Sequence, residues 1–365
     1  MELRRHRNIL PMDIIETEIL TKLPARSVGR MMCVCRRWRS FLSTQAFQRN
    51  NITTQPIQKL LLIDSSMGTF SSLDCGTTPN DLSIISHRRT PFKASNEEEE
   101  DMHIVAACLD GLVCVAMSKS KQLILWNPLT GAYNMLSVSH LPLHTFNRID
   151  LDAFGLYFDS CNNEYKVLHL VRDQKGPRVY IYSQRLDLWR RKVLCCNCDW
   201  FLDCWTYQWS SAIFLDQTLY FNVVRDDHSC IAAFDVTSER FREIHYPCHV
   251  SGVRAYYVSL MVINNCLHLC VPRHDVTTRF YMPLVDNDVW RMVGDGDGDG
   301  WIKVSRFNNS MPFTFTPNCR TRHGGWDVVW RFNKAYTKHS VKAHRWLPCH
   351  LLRVIYTETL VSPNP

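Results

Sequence analysis

Apolar and polar residues follow one period up to about residue 51 and another from Lys59 onward. In the first stretch the steps are helical. Ile15, Ile19 and Leu23 stand four apart, and Ile14 and Leu20 widen the stripe. Pro11 suits the opening of a helix, where a missing N–H costs nothing. Leu23-Pro24 ends that helix, because a residue before proline is pushed out of the α region. A second stripe, Val28, Met32, Cys35, Trp38 and Leu42, follows at steps of 4, 3, 3 and 4, while Arg30, Arg36, Arg37 and Arg39 cover much of the other face. The pattern predicts an amphipathic helical hairpin over Asn8 to Asn51. Below roughly 60 residues the buried fraction of surface is marginal for independent folding. The unit is therefore either a cap on the following domain or a module whose surplus Leu, Ile and Pro complete a core with another chain.

From Lys59 the apolar residues alternate in short runs separated by turn residues, which predicts an all-β region. An internal repeat runs through it: a strand, a turn and an aromatic six positions on, at Asp64 to Phe70, Asn127 to Tyr133, Ser183 to Trp189, Asp235 to Phe241 and Leu284 to Trp290. The steps between copies are 63, 56, 52 and 49 residues. Periods near 50 with four strands per unit predict a propeller of the kelch kind. One copy reads as strands Ile104 to Cys108, Leu112 to Met117, Gln122 to Asn127 and Ala132 to Ser137, with Asp110-Gly111 as its first hairpin. The next read as Phe154 to Asp159, Tyr165 to Val171, Val179 to Ser183 and Leu188 to Val193, then Ala212 to Leu215, Thr218 to Val224, Ile231 to Asp235 and Arg240 to His245. The first copy holds only Lys59 to Asp64 and Thr69 to Asp74, which predicts that its two inner strands are missing and that β-rich Leu351 to Val361 supplies one. Five to seven blades fit the spacing.

Two family resemblances accompany these patterns. Leu10-Pro11, Ile19-Leu20, Leu23-Pro24, Ser27, Arg30, Val34-Cys35 and Trp38 stand in the order and spacing of the F-box, so the segment resembles an F-box of the plant type. It departs in having Ile14 and Ile15 where leucine is usual and Gly29 inside the second helix, where glycine costs about 1 kcal/mol against alanine. The resemblance implies a three-helix module docking on a Skp-family adaptor and through it on a cullin, with Leu10, Pro11, Ile14, Ile19, Leu20, Leu23, Pro24, Val34 and Trp38 as adaptor-binding residues. Further on, Leu125 to Gly131, Glu164 to Val167, Tyr182-Ser183 with Trp189-Arg190, Phe234 to Val236, Trp301 to Val304 and Tyr356 to Pro363 resemble, in that order, the F-box-associated domain of plant F-box proteins. The implied fold class is α+β by segment, a three-helix F-box followed by an all-β kelch-like propeller. The implied domains are 4–50 for the F-box, 51–103 for a connector with the first propeller strands, and 104–363 for the propeller. The paired glycines of standard kelch repeats are absent.

Composition narrows the chemistry. At 365 residues with 45% apolar and 11% aromatic residues, the chain has material for two domains and a large core. Ile104 to Met117, its longest apolar candidate, is interrupted by Asp110 and falls short of the roughly 18 residues a membrane span needs. Arg4, Arg5, His6 and Arg7 read as a frayed basic tail, because Asp13, Glu16 and Glu18 break any signal-peptide core. Sixteen cysteines without a secretory signal predict reduced thiols in the nucleus or cytoplasm. The net charge of +7 is mild and no basic stripe is interleaved with stacking aromatics, so no nucleic-acid role is expected, nor a membrane role.

The remaining clusters point away from catalysis. In Gly294 to Gly300, Asp295, Asp297, Asp299 and Gly300 match the start of a calcium loop, but Arg306 stands where its bidentate Glu belongs, which leaves a flexible acidic linker. Glu97 to Asp101 reads as a solvated acidic loop. Cys195, Cys196, Cys198 and Cys204 lack the paired C-x-x-C knuckles of structural zinc, and His245 and His249 need not face one site. Nucleophile elbow, P-loop and zinc-protease motifs are all absent. We therefore expect no catalytic residue, metal or cofactor, and read a receptor: the recognition subunit of a ubiquitin ligase. An interaction scaffold outside a ligase and a metal-dependent propeller enzyme are the alternatives. Tight turns fall on one propeller face and long connections on the other, and Trp200, Phe201, Trp205, Tyr207 and Trp209 form the richest aromatic cluster among the latter. They are candidates to bind an unknown target protein, weighed against packing between blades.

Overall fold

The computed structural model describes residues 10–54, 58–64, 68–74, 88–92, 103–117, 122–137, 153–173, 176–193, 208–210, 212–224, 229–247, 258–263, 265–272, 287–294, 300–304 and 351–364. Its first helix, α1 (Met12–Ile14), has Pro11 just outside as N-cap and runs on through a wide turn over Ile15–Ile19 and a tight one over Leu20–Lys22. Leu23 before Pro24 is extended, as the proline rule requires, and α2 (Ala25–Met31) begins directly after. The second stripe is two helices rather than one. Cys35 is extended (φ −153°, ψ 162°) and its Sγ accepts from the Trp38 N–H at 3.4 Å, capping α3 (Arg36–Leu42). A fourth helix, α4 (Gln45–Thr54), crosses the boundary expected at residue 50. Leu20, Val28, Leu42 and Phe47 form the small core of these helices, with the Phe41 and Phe47 rings edge to face at 5.2 Å. Asn51 on α4 donates to the carbonyls of Thr21 and Leu23 at the end of the first helical run.

The rest is strand. In chain order these are β1 (Gln58–Asp64), β2 (Thr69–Asp74) and β3 (Arg88–Arg89); β4 (His103–Leu109), β5 (Leu112–Met117), β6 (Gln122–Trp126) and β7 (Tyr133–Leu136); β8 (Ala153–Asp159), β9 (Glu164–Asp173), β10 (Gly176–Ser183) and β11 (Leu188–Lys192). They continue as β12 (Gln208–Trp209), β13 (Ile213–Leu215), β14 (Thr218–Val224), β15 (Cys230–Asp235) and β16 (Arg240–His245); β17 (Ser259–Ile263), β18 (Cys266–Pro272), β19 (Asn287–Met292) and β20 (Trp301–Lys303); and β21 (Leu351–Thr357). Among the described residues they form five antiparallel sheets, each a meander in chain order except the first, which runs β21-β1-β2-β3. The strands that meet between sheets are mostly the first of each, β21, β4, β8, β13 and β17, which places them around a central axis. This is a β-propeller.

Alternation explains the packing. On β5, Leu112, Cys114 and Ala116 face the β8–β11 sheet, whereas Val113, Val115 and Met117 face the β21–β3 sheet, and all six are buried. The cores therefore lie between blades, as period-2 strands covered on both faces require. Two further cores of the same kind join the third sheet to the fourth and the fourth to the fifth.

Three sequence expectations need correction. The first blade lacks only one inner strand, supplied by β21 pairing with β1 from Asp64↔Leu351 to Gln58↔Thr357; Arg88–Arg89, too short and polar to stand out, adds the outer strand. The fourth blade's inner strand is broken, with β12 and β13 both on the same side of β14 and the register slipping by one residue between Trp209↔Val223 and Ile213↔Tyr220. The aromatic repeat also loses phase at both ends. Tyr133, Trp189 and Phe241 begin or follow the start of outer strands, but Phe70 lies in a middle hairpin and Trp290 on a third strand. Trp301 is the true counterpart of Trp189. Each donates its Nε1–H to a carbonyl at the outer edge of the preceding blade, Trp189 to Ser137 at 2.6 Å and Trp301 to His245 at 3.0 Å.

Candidate adaptor-docking and target-binding surfaces

The helical module leaves several of its apolar residues outside its own core. Leu10, Pro11, Ile14 and Ile19 are exposed along the first helical run, and Val34, 60% exposed, projects from the turn between α2 and α3. Leu23, Pro24 and Trp38 are half-buried. Leu20 is different: at 1% exposure it belongs to the module's own core, and is corrected from docking residue to structural residue. Neighbouring Ile19 and Leu20 look alike in sequence, and only the helix's rotation sends one outward. Met12, also exposed, belongs with the outward group; it stands two residues from both Leu10 and Ile14 and was legible as apolar.

Charge frames this surface. Arg37 reaches back with Nε and Nη2 to the two Glu16 oxygens at 2.7 and 3.1 Å, fixing α3 against the first helical run. The Glu16 hydrogen bond and charge raise the pKa of that guanidinium further. Arg30, Arg36 and Arg39 are exposed nearby.

Other residues of the module meet the propeller. Arg49 of α4 lies 3.4 Å over the Phe158 ring and 3.4 Å from the Asp110 carboxylate, which also accepts from the Tyr165 hydroxyl at 2.9 Å. Burial pushes the Asp110 pKa up, against the pull of Tyr165 and Arg49. Arg26 of α2 binds Glu358, the residue following β21. Sequence reasoning missed all of these, because single charged residues far apart in the chain carry no local signature.

Of the aromatic cluster proposed for target binding, Trp200, Phe201, Trp205 and Tyr207 lie outside the described residues. Trp209 is buried in the core between the third and fourth sheets, edge to face with Phe221 at 5.7 Å, and there it packs blades. Cys195, Cys196, Cys198, Cys204, His249 and the three aspartates of 295–299 also fall outside the described residues. Among the described residues no group of three His, Cys, Asp or Glu side chains could hold a metal ion, and no helix is long and apolar enough to cross a membrane.

Comparison with known proteins agrees with this architecture. A model described as the F-box domain matches residues 9–50, and one described as the F-box associated beta propeller domain matches residues 59–293. An F-box/kelch-repeat protein of Arabidopsis thaliana is 26% identical over 316 residues, spanning 81% of this chain and 78% of the relative. F-box only protein 9 of the same plant is 24% identical over 97% of this chain and 95% of its own length. Among solved structures, the β-propeller domain of the trilobed protease from Pyrococcus furiosus aligns over 56% of this chain and 57% of its own, at 11% identity and a TM-score of 0.32. With its helical module followed by five described sheets, and with both family models matched in that order, the chain belongs to the F-box proteins that carry an F-box-associated β-propeller domain.

Proposed function

We propose that this chain is the substrate-recognition subunit of a Skp-cullin-F-box ubiquitin ligase. The F-box docks on a Skp-family adaptor, the adaptor bridges to a cullin, and the propeller holds a target protein for ubiquitination and proteasomal degradation. One observation carries the reading: Leu10, Met12, Ile14, Ile19 and Val34 remain exposed outside the module's core, while Arg26 and Arg49 of the same module are engaged by the propeller and the segment after β21. Apolar groups left exposed around so small a module have a docking partner as their natural cover.

The chemistry then comes from proximity. The target's lysine amine attacks the thioester carbonyl of a ubiquitin carried by a partner enzyme, an isopeptide bond forms and the enzyme's thiol leaves. This chain contributes no reacting group; it raises the effective concentration of lysine near thioester. The target belongs on the face with the long connections, because α4 and the chain's end occupy the tight-turn side of the β4–β7 and β8–β11 sheets at Asp110, Phe158, Asn127 and Gln184. The nucleus or cytoplasm is the setting.

The test is assembly. Full-length protein, a plant Skp-family adaptor and a cullin are mixed pairwise and together, then resolved by size-exclusion chromatography. Co-elution of all three, with cullin recruited only when adaptor is present, is the expected result. Adaptor binding without cullin recruitment would leave a scaffold outside the ligase, and no adaptor binding would overturn the function.

A further inference from the structure

The chain continues past β21 in a short extended segment that meets both domains. Glu358, whose side chain is 2% exposed, accepts from Arg26 Nε and Nη2 at 3.2 and 2.8 Å and lies 3.7 Å from Lys59 Nζ at the start of β1. Thr359 Oγ1 donates to the Asp110 carbonyl in the β4–β5 turn at 2.6 Å. Leu360 packs on the helical core, its Cδ2 3.7 Å from where a Cβ on Gly29 would stand. Val361 is buried between the second and third sheets, and Pro363 accepts from Gln184 Nε2 at 2.6 Å. Asn127 secures the middle: its Nδ2 donates to the Thr359 and Val361 carbonyls at 3.0 and 2.8 Å, while its Oδ1 accepts from Leu129 and Thr130.

We propose that residues 358–363 are a positioning strap, which fixes the F-box on the propeller in a single orientation. Alternation supplies the physical reason. Glu358 and Leu360 turn to the helices, while Thr359 and Val361 turn to the blades, so one extended segment fastens to both. Glu358 is buried between cations from the two domains, Arg26 and Lys59, so undocking would break its doubly hydrogen-bonded ion pair with Arg26. Arg26 and Gly29 are three residues apart and share a helix face, which places Leu360, whose Cδ2 would lie 3.7 Å from a Cβ at Gly29, beside the ion pair. The consequence rests on the ligase reading: the last residues of the chain set the reach from adaptor to target.

The experiment compares wild type with Gly29→Ala, Gly29→Glu and Leu360→Asp in full-length protein. Small-angle X-ray scattering reads domain separation, adaptor titration reads the F-box, and thermal melting reads the propeller. An alanine at 29 fits at ordinary contact distance, so it should scatter like wild type. Gly29→Glu drives an acid toward Leu360, and Leu360→Asp removes the apolar contact from outside the helices. Both should enlarge the maximum dimension and broaden the distance distribution, with adaptor affinity within twofold of wild type and the propeller's melting unchanged. Scattering from Leu360→Asp that matches wild type would overturn the strap, as would compact scattering from a folded Gly29→Glu. If Gly29→Glu unfolds the module, Leu360→Asp decides alone. A wild type that binds no adaptor would refute the ligase reading and leave the scattering comparison standing.

Discussion

Replacing Gly111 with alanine should drive the β4–β5 turn into the closing end of the chain. Gly111 has φ +79°, a left-handed conformation in which an L side chain costs about 1–2 kcal/mol. Its added Cβ would stand 2.2 Å from Thr359 Oγ1, 2.6 Å from the Thr357 carbonyl oxygen and 3.0 Å from Thr359 Cβ. Backbone is among those neighbours, so rotamer changes alone cannot relieve the contact, and forced overpacking of this kind costs about 1–3 kcal/mol more. Gly131 is the internal control, since its φ is +76° and nothing lies within 4 Å of an added Cβ. Gly131→Ala should lose about 1–2 kcal/mol and Gly111→Ala about 2–5 kcal/mol, the difference measuring how tightly the C-terminal residues close on the second blade. At about 2–4 °C per kcal/mol for a protein of this order of size, Gly111→Ala should melt roughly 4–20 °C below wild type. Thermal unfolding followed by circular dichroism gives the comparison. Equal losses for the two variants would refute the close approach of Thr357 and Thr359 to the turn.

Other perturbations probe separate parts of the account. Trp126 is fully buried, edge to face with Phe70 at 4.7 Å and Phe92 at 5.5 Å, so Trp126→Ala should cost about 3–5 kcal/mol in denaturant titration. Trp189→Phe and Trp301→Phe keep most ring packing but lose the bonds to Ser137 and His245; each should cost about 1–2 kcal/mol, and no loss at Trp301 would remove its equivalence with Trp189. Burial pushes the Asp159 carboxyl up, but hydrogen bonds from Lys166 and Asn162 outweigh it and hold the pKa down at about 2. A depressed carboxyl pKa stabilises the fold above its ordinary value near 4 and ceases to do so as pH falls through about 2. Asp159→Asn should therefore cost about 1 kcal/mol at neutral pH, solvent screening limiting the effect, and progressively less in melts taken from pH 4 to pH 2.

Leu112 to Met117 and Thr218 to Val224 are legible to the residue as apolar runs covered on both faces, and Arg240 to His245 as an outer strand in which polar and apolar residues alternate. What failed was what periodicity cannot carry. Arg88–Arg89 is two polar residues, too few to show a period, and the slip between Trp209 and Ile213 hides a single inner strand as two fragments. The aromatic repeat misled at Phe70 and Trp290 because turn-plus-aromatic spacing occurs in middle hairpins as well as outer ones. In the F-box the surplus of apolar residues is visible in the sequence, but buried Leu20 can be told from exposed Ile19 only once the wide turn over Ile15–Ile19 has set its rotation. Glu358 with Arg26 and Asp110 with Arg49 are contacts across 332 and 61 residues, and nothing local to either partner announces them.

The central claim is that the exposed apolar residues of the F-box bind an adaptor, and calorimetric titration of full-length protein with a purified Skp-family adaptor tests it most directly. Wild type should bind at one to one. Ile14→Asp and Ile19→Asp, each placing a charge where an exposed isoleucine now lies, should bind at least about thirtyfold more weakly, the equivalent of the roughly 2 kcal/mol that a buried interface anchor commonly contributes, while melting like wild type. Undiminished binding by both variants, or no binding by the wild type, would contradict the account.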